Sequence, residues 1–280
     1  MSNLQAWAGQ STQRLQGKSE FPYLESQVLL AFTLKTSREW IIAHPEFDLT
    51  PEQERLLESH LAQLIKGEPL PYITGVQAFY GLDFCVSPDV LIPRPETELL
   101  VEEAIGWLRE HPNRRDALDM GTGSGAIAVT LTDQIPDLLM IATDISTKAL
   151  EAARKNAEKY GVDERIRFIQ SDLWENIPFS FDLIAANLPY VPSETLIGLP
   201  VFLHEPPLAL DGGPDGLRVI DAFLARAAEH IKPGGFILLE IEAGQGESAI
   251  ALVQEKLPRG NFKLITDYSN LPRLITIQGN

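Results

Sequence analysis

Asn187-Leu188-Pro189-Tyr190 follows an apolar run, Phe181 to Ala186, and brings together a side-chain amide, a rigid carbonyl-rich turn and an aromatic face. A planar amide or amino group offers two N–H donors. The Asn187 side-chain oxygen and the Leu188 backbone oxygen form an acceptor pair for both, while the Tyr190 ring stacks on the plane. That arrangement suits methylation of a nitrogen. Asn and Pro are also ordinary turn residues, so the four residues alone equally describe a strand ending in a turn.

The segment upstream separates the two readings. Ala117-Leu118-Asp119-Met120 reads as a short buried strand running into the glycine loop Gly121-Thr122-Gly123-Ser124-Gly125, and Ala126 to Leu131 reads as the start of a helix. Glycines let backbone approach a ligand closely. A second apolar strand, Leu138 to Thr143, ends at Asp144, where a carboxylate can accept both hydroxyls of an adenosine ribose. Gly121-x-Gly123-x-x-Ala126 also fits a dinucleotide fingerprint. Asp119 argues against a dinucleotide, because a carboxylate two residues before the first glycine repels a pyrophosphate. It suits a ligand with an ammonium group, such as the methionine part of S-adenosylmethionine.

The elements that must position these residues are legible as periodicity. Residues 1–71 read as a small helical bundle: Ser26 to Leu34 holds an apolar stripe, Thr36-Ser37 precedes Trp40, and Thr50-Pro51-Glu52-Gln53 is a capped helix start. Trp7 and Trp40 read as core. Residues 72–92 read as a connector of short strands around Gly75 and Gly81. From residue 93 to 280 strands alternate with helices, which predicts an α/β fold with a doubly wound, mainly parallel sheet and ligands at the carboxyl ends of its strands. Asp119, Asp144, Asp172 and Asn187 all fall at such ends.

Composition narrows the partners. The 280 residues carry 23 Lys and Arg against 39 Asp and Glu, a net charge of -16, which opposes direct binding to nucleic acid. The single Cys85 cannot form an internal disulfide and reads as a packed strand residue. The five histidines show no metal-ligand spacing, so no metal is expected. No apolar run approaches a membrane span, the N-terminus lacks a signal-peptide core, and a reducing cytoplasm is the expected location.

Taken together, these residues resemble the release-factor glutamine methyltransferase family, class I S-adenosylmethionine-dependent enzymes that methylate the side-chain nitrogen of a glutamine in a Gly-Gly-Gln loop. The resemblance extends through Leu91-Ile92-Pro93-Arg94-Pro95-Glu96-Thr97-Glu98, the stretch Glu205 to Leu217, and Lys232-Pro233-Gly234-Gly235 before the strand ending at Glu240-Ile241-Glu242. It implies an N-terminal helical domain that recognises the protein substrate, a peptide chain release factor. It also implies catalysis by Asn187, Pro189 and Tyr190, with Leu188, Arg94 and Glu96 beside the acceptor glutamine. The glycine loop would cradle the methionine end of the cofactor, Asp144 the ribose, and Asp172 with Leu173 the adenine edge. The family's usual tetrapeptide is Asn-Pro-Pro-Tyr, and Leu188 here replaces the first proline while keeping the backbone carbonyl. Three other readings remain open: a glutamine methyltransferase acting on a ribosomal protein, a DNA adenine-N6 methyltransferase, and a catalytically silent nucleoside-binding scaffold.

Overall fold

A computed structural model of the chain describes residues 2–199 and 203–279. They form two compact units, Met1–Val76 and Gln77–Asn280.

The first unit contains five helices among the described residues: α1 (Leu4–Leu15), α2 (Pro22–Leu34), α3 (Arg38–Ala43), α4 (Pro51–Ile65) and α5 (Leu70–Thr74). Their starts follow from capping chemistry. Asn3 and Ser37 each accept a backbone N–H of the first turn, and Thr50 with Gln53 forms a reciprocal capping box at α4. The helices bury one cluster that includes Leu4, Trp7, Leu29, Leu30, Ile41, Leu57 and Leu61, with Trp40 packed against it, so both tryptophans serve the core.

The connector differs from its sequence reading. Residues 70–74 are the short helix α5, closed by Gly75 in the left-handed region, and strand structure is confined to the hairpin β1 (Val76–Phe79) and β2 (Leu82–Cys85). Residues 86–92 leave it as irregular chain, with a turn that Val90 N–H closes on the Ser87 carbonyl. Cys85 ends β2 but is exposed and not packed. Alternation of small apolar residues in so short a stretch does not distinguish a helical turn from a strand.

The second unit is built on a seven-stranded sheet among the described residues, in the order β5-β4-β3-β6-β7-β9-β8. Its strands are β3 (Asp116–Met120), β4 (Leu139–Asp144), β5 (Ile166–Gln170), β6 (Phe181–Ala186), β7 (Ile231–Glu240), β8 (Asn261–Thr266) and β9 (Pro272–Gln278). Helices α6 (Thr97–Glu110), α7 (Ala126–Gln134), α8 (Thr147–Lys159), α9 (Ser193–Ile197), α10 (Arg218–His230) and α11 (Gly246–Lys256) accompany it. The five strands from β5 to β7 are parallel, and β9 inserts antiparallel between β7 and β8. β6 is buried along its whole length, as a central parallel strand covered on both faces must be. One face packs Ile184, Phe181, Trp174, Phe223, Leu224 and Ile237 into a single core.

The strand order reverses between β3 and β6, which is where a doubly wound sheet opens a crevice for a ligand. Their register pairs Asp119 with Ala185 and Met120 with Ala186, so the glycine loop and the tetrapeptide leave the sheet side by side. A buried Asn156 on α8 ties the hairpin to this crevice. Its Oδ1 accepts the Cys85 N–H at 2.8 Å, and its Nδ2 donates to the carbonyls of Cys85 at 3.0 Å and Ser124 at 2.8 Å. Asn156→Ala should therefore strand these groups and lower stability by roughly 1–3 kcal/mol, with faster hydrogen exchange at the Cys85 amide. Urea unfolding with an unchanged midpoint would show that the hairpin is held by other contacts.

Candidate active site

The glycine loop hangs on the end of β4. The N–H groups of Gly121 and Thr122 both donate to the Thr143 carbonyl, at 2.9 and 2.8 Å. Gly121 has φ +76°, and a Cβ there would meet Leu188 Cδ2 at 3.3 Å, so the position combines a left-handed backbone with a close approach. Gly125 has φ +83°, and a Cβ there would meet Ala153 Cβ at 3.0 Å, a tight approach that lets α7 start close against α8.

Asp119 is fully buried. Its Oδ2 accepts the Thr122 hydroxyl at 2.6 Å and the Ala128 N–H at 3.1 Å, so it braces the loop against the first turn of α7. Its Oδ1 is buried with no partner. Burial, with a smaller push from the nearby Asp144, raises its pKa to about 7 against the pull of those two hydrogen bonds. Asp144 is itself raised by burial, with its Oδ1 taking the Ser146 N–H at 2.9 Å and its Oδ2 the Gly123 N–H at 3.0 Å. Each oxygen keeps a second lone pair for a ribose hydroxyl. A buried and a half-buried carboxylate side by side, with one orphaned oxygen, fit a cationic ligand and oppose a pyrophosphate. Those residues match the donors and charge of S-adenosylmethionine, whose sulfonium and ammonium groups are both positive.

Past β5, Leu173 takes a left-handed φ of +44°, which is costly for a branched side chain. Ser171 holds it there, donating its hydroxyl to the Leu173 carbonyl at 2.8 Å while accepting the Asn176 N–H at 3.0 Å. Asp172 is exposed, and no hydrogen bond among the described residues uses its side chain.

Asn187 follows β6 and lines a cavity of about 170 Å³ with Leu91, Arg94, Tyr190, Val191 and Leu210. Its Nδ2 donates to the Thr97 hydroxyl at 3.0 Å, which leaves Oδ1 as the acceptor. Leu188 is buried in the core, and no bond among the described residues uses its N–H or its carbonyl. The Tyr190 hydroxyl donates to Glu240 Oε1 at 3.2 Å. Burial, then the charge of Glu240 and that bond, push the Tyr190 pKa up, so it stays a neutral phenol.

Arg94 is not a free cation. It pairs with the buried Glu205 at 2.5 Å, and Glu205 also accepts the Ile92 N–H at 3.1 Å, so the Pro-Arg-Pro-Glu run is clamped to the loop after α9. Glu96 is exposed at the start of α6 and acts on Glu240 and Arg273 through its charge. Glu98 caps the Tyr80 N–H at 2.8 Å.

The tetrapeptide is held by Gln245, which the sequence does not single out, and by residues of the stretch Glu205 to Leu217, to which the sequence gives no role. Gln245 Nε2 donates to the Tyr190 carbonyl at 2.8 Å. Gly216, φ +78°, lies so close that a Cβ would fall 2.2 Å from the same carbonyl. Val191 bridges Asp211, whose Oδ1 accepts the Ser193 hydroxyl at 2.6 Å and the Gly213 N–H at 2.9 Å. The Gly-Gly-Pro-Asp-Gly run was the available signal, because such a cluster marks a tightly turned backbone. Gln245 carried none.

A model of the PrmC N-terminal domain matches residues 6–75, and one of the methyltransferase small domain matches residues 96–197. Proteins named release factor glutamine methyltransferase from Koribacter versatilis and Moorella thermoacetica are 38% and 39% identical, over 91% and 95% of this chain and 90% and 94% of their own. A solved methyltransferase from Pyrococcus furiosus aligns with TM-score 0.53 at 19% identity, over 80% of this chain and 100% of that one. A T. thermophilus 16S rRNA methyltransferase in complex with AdoMet and guanosine aligns with TM-score 0.54 at 20% identity, over 73% of this chain and 50% of that one. At such identities the likeness is one of fold. The sequence identity, sustained over most of both chains, carries more: this protein belongs to the release factor glutamine methyltransferase family.

Proposed function

We propose that this enzyme methylates the side-chain amide nitrogen of the glutamine in the Gly-Gly-Gln loop of a peptide chain release factor, using S-adenosylmethionine in the cytoplasm. The observation that carries the reading is Asn187, whose Nδ2 is tied to Thr97 and whose Oδ1 is left as acceptor beside a narrow pocket. S-adenosylmethionine supplies an electrophilic sulfonium methyl. Gly121 to Gly125 and Asp119 hold its methionine end, Asp144 the ribose, and Asp172 with Leu173 the adenine edge.

A glutamine amide nitrogen is a poor nucleophile because its lone pair is delocalised into the carbonyl. The residues of the chain therefore contribute geometry. Asn187 Oδ1 and the Leu188 carbonyl take the two N–H donors, Pro189 stiffens the turn, and the neutral Tyr190 ring covers the plane. Arg94, neutralised by Glu205, and Glu96 frame the entrance. Positioning of this kind supplies roughly 7–11 kcal/mol in favourable cases. A duplex is disfavoured as substrate by the net charge of -16.

Labelled S-adenosylmethionine offered with release factor, ribosomal proteins and DNA separately should label the release factor glutamine. Asn187→Ala should slow that transfer at least about 10-fold, a loss of roughly 1–3 kcal/mol from one unpaired N–H. Label appearing only on a ribosomal protein or on DNA would overturn the substrate, and full turnover by the Asn187 variant would overturn the amide clamp.

Cofactor affinity should depend on pH with a defined sign. Asp119 holds its proton up to about pH 7 in the free protein, and a cationic ligand selects the ionised form. Affinity should thus rise as pH increases through about 7 and level off above it, by at most about tenfold per unit on the acid side. Calorimetry across that range checks it, with Asp119→Asn flattening the curve; a flat curve for the parent protein would rule out the cation pairing.

The helical unit is the candidate for recognising the protein substrate. Phe21 and Tyr23 stand 57% and 61% exposed at the start of α2, where bulky apolar side chains commonly mark a contact surface. Replacing both with Ala should raise KM for intact release factor several-fold and leave transfer to a short Gly-Gly-Gln peptide unchanged. Equal losses on both substrates would assign these residues to the fold instead.

A further inference from the structure

Glu240 ends β7 fully buried, and two hydroxyls face its carboxylate. The Tyr190 hydroxyl donates to Oε1 at 3.2 Å, and the Thr97 hydroxyl, like that of Tyr190, favours the charged form of the carboxylate. Oε2 is buried with no hydrogen-bond partner. Thr97, the first residue of α6, is 4% exposed, and its oxygen accepts from Asn187 Nδ2 at 3.0 Å. An ionised carboxylate accepts hydrogen bonds and cannot donate them. A hydroxyl has one proton, so a Thr97 that gives its proton to Glu240 can only accept from Asn187. A flipped Asn187 would aim Oδ1 at the Thr97 lone pairs and turn its NH2 toward the pocket, where it would repel the two N–H groups of a glutamine.

We infer that Thr97 and Glu240 are positioning residues for methyl transfer: the Glu240 carboxylate takes the Thr97 proton, the Thr97 oxygen then holds Asn187 Nδ2, and Asn187 Oδ1 is thereby fixed as the acceptor facing the glutamine pocket. The same carboxylate takes the Tyr190 proton, so one buried charge orients both polar walls of the pocket. This deepens the proposed function and rests on it, because the orientation of Asn187 matters only where the ligand presents N–H donors. Burial first of all, opposed by the Thr97 and Tyr190 hydroxyls, raised by Glu96 just before α6 and lowered by Arg273 on β9, leaves Glu240 with a pKa of about 7. Its ionisation, and with it the ordering of Thr97, therefore changes within a range that kinetics can reach.

The test compares Thr97→Val, which keeps the shape and removes the hydroxyl, with Thr97→Ser, which restores it. At saturating cofactor, Thr97→Val should lower kcat for release-factor methylation at least tenfold with cofactor affinity and thermal unfolding little changed, and Thr97→Ser should recover to within about threefold of the parent. The parent kcat should fall as pH drops through about 7, and this limb should be absent from the residual activity of Thr97→Val. The Asn187 side-chain NH2 resonance, assigned by its absence in Asn187→Ala, should show slow exchange in the parent and in Thr97→Ser and fast exchange in Thr97→Val. A Thr97→Val enzyme with parental kcat and pH profile would overturn the inference while leaving the proposed function intact. A parent protein that methylates no release factor would instead remove the reading on which it rests. If Thr97→Val fails to fold, Glu240→Gln decides: its neutral amide no longer dictates the direction of the Thr97 proton, so kcat should fall and the pH limb vanish, and parental values for both would overturn the inference.

Discussion

Parallel pairing of β3 with β6 is the constraint on which the rest of the site depends. The backbone hydrogen bonds of that ladder fix Met120 opposite Ala186. Everything beyond those residues, the glycine loop on one side and the tetrapeptide on the other, is then forced to share a crevice. A slip of one residue would turn every side chain of a strand to the opposite face. β6, buried on all six residues, resists such a slip because each misplacement would disturb close packing on both faces. The contact of Leu188 with Gly121 records the outcome at atomic scale.

Around that crevice the chain keeps carboxylates where water cannot solvate them. An unpaired buried charge is costly, and both Asp119 and Glu240 respond by holding their protons up to about pH 7. The two differ in what surrounds them. Asp119 has one oxygen engaged by the loop it braces and one left without a partner, the condition of a group completed by a positively charged ligand. Glu240 accepts the Tyr190 hydroxyl on Oε1 and keeps Oε2 without a partner. Burial thus equips one crevice both to attract a cation and to order neutral hydrogen-bonding groups.

The scaffold behind the tetrapeptide shows how remote segments act on it through backbone atoms. Gln245 and Gly216 both meet the Tyr190 carbonyl, Asp211 gathers Ser193 and Gly213, and Glu205 clamps Arg94 and Ile92. None of these needs to touch a substrate to matter. They restrict a turn with Leu188 in place of a second proline, so packing supplies part of the rigidity that a proline ring would supply.

Periodicity, caps and glycine placement were enough to read the α/β architecture, the helical N-terminal segment, the glycine loop and the tetrapeptide, because those features are written over neighbouring residues. Thr50 with Gln53 formed its capping box, and Asp144 and Asn187 stand at strand ends as their apolar runs implied. Short segments are less legible: residues 72–74 are helical where the sequence suggests strands, and Cys85 is exposed where it suggests packing. The antiparallel insertion of β9 and the partners of Arg94 were decided by tertiary structure alone. So were the pairings of Asn187 with Thr97 and of Tyr190 with Glu240, residues scattered along the chain. A local pattern carries information only about neighbours along the chain, whereas the charge state of a buried carboxylate and the direction of a hydroxyl proton depend on which distant groups the fold encloses with them.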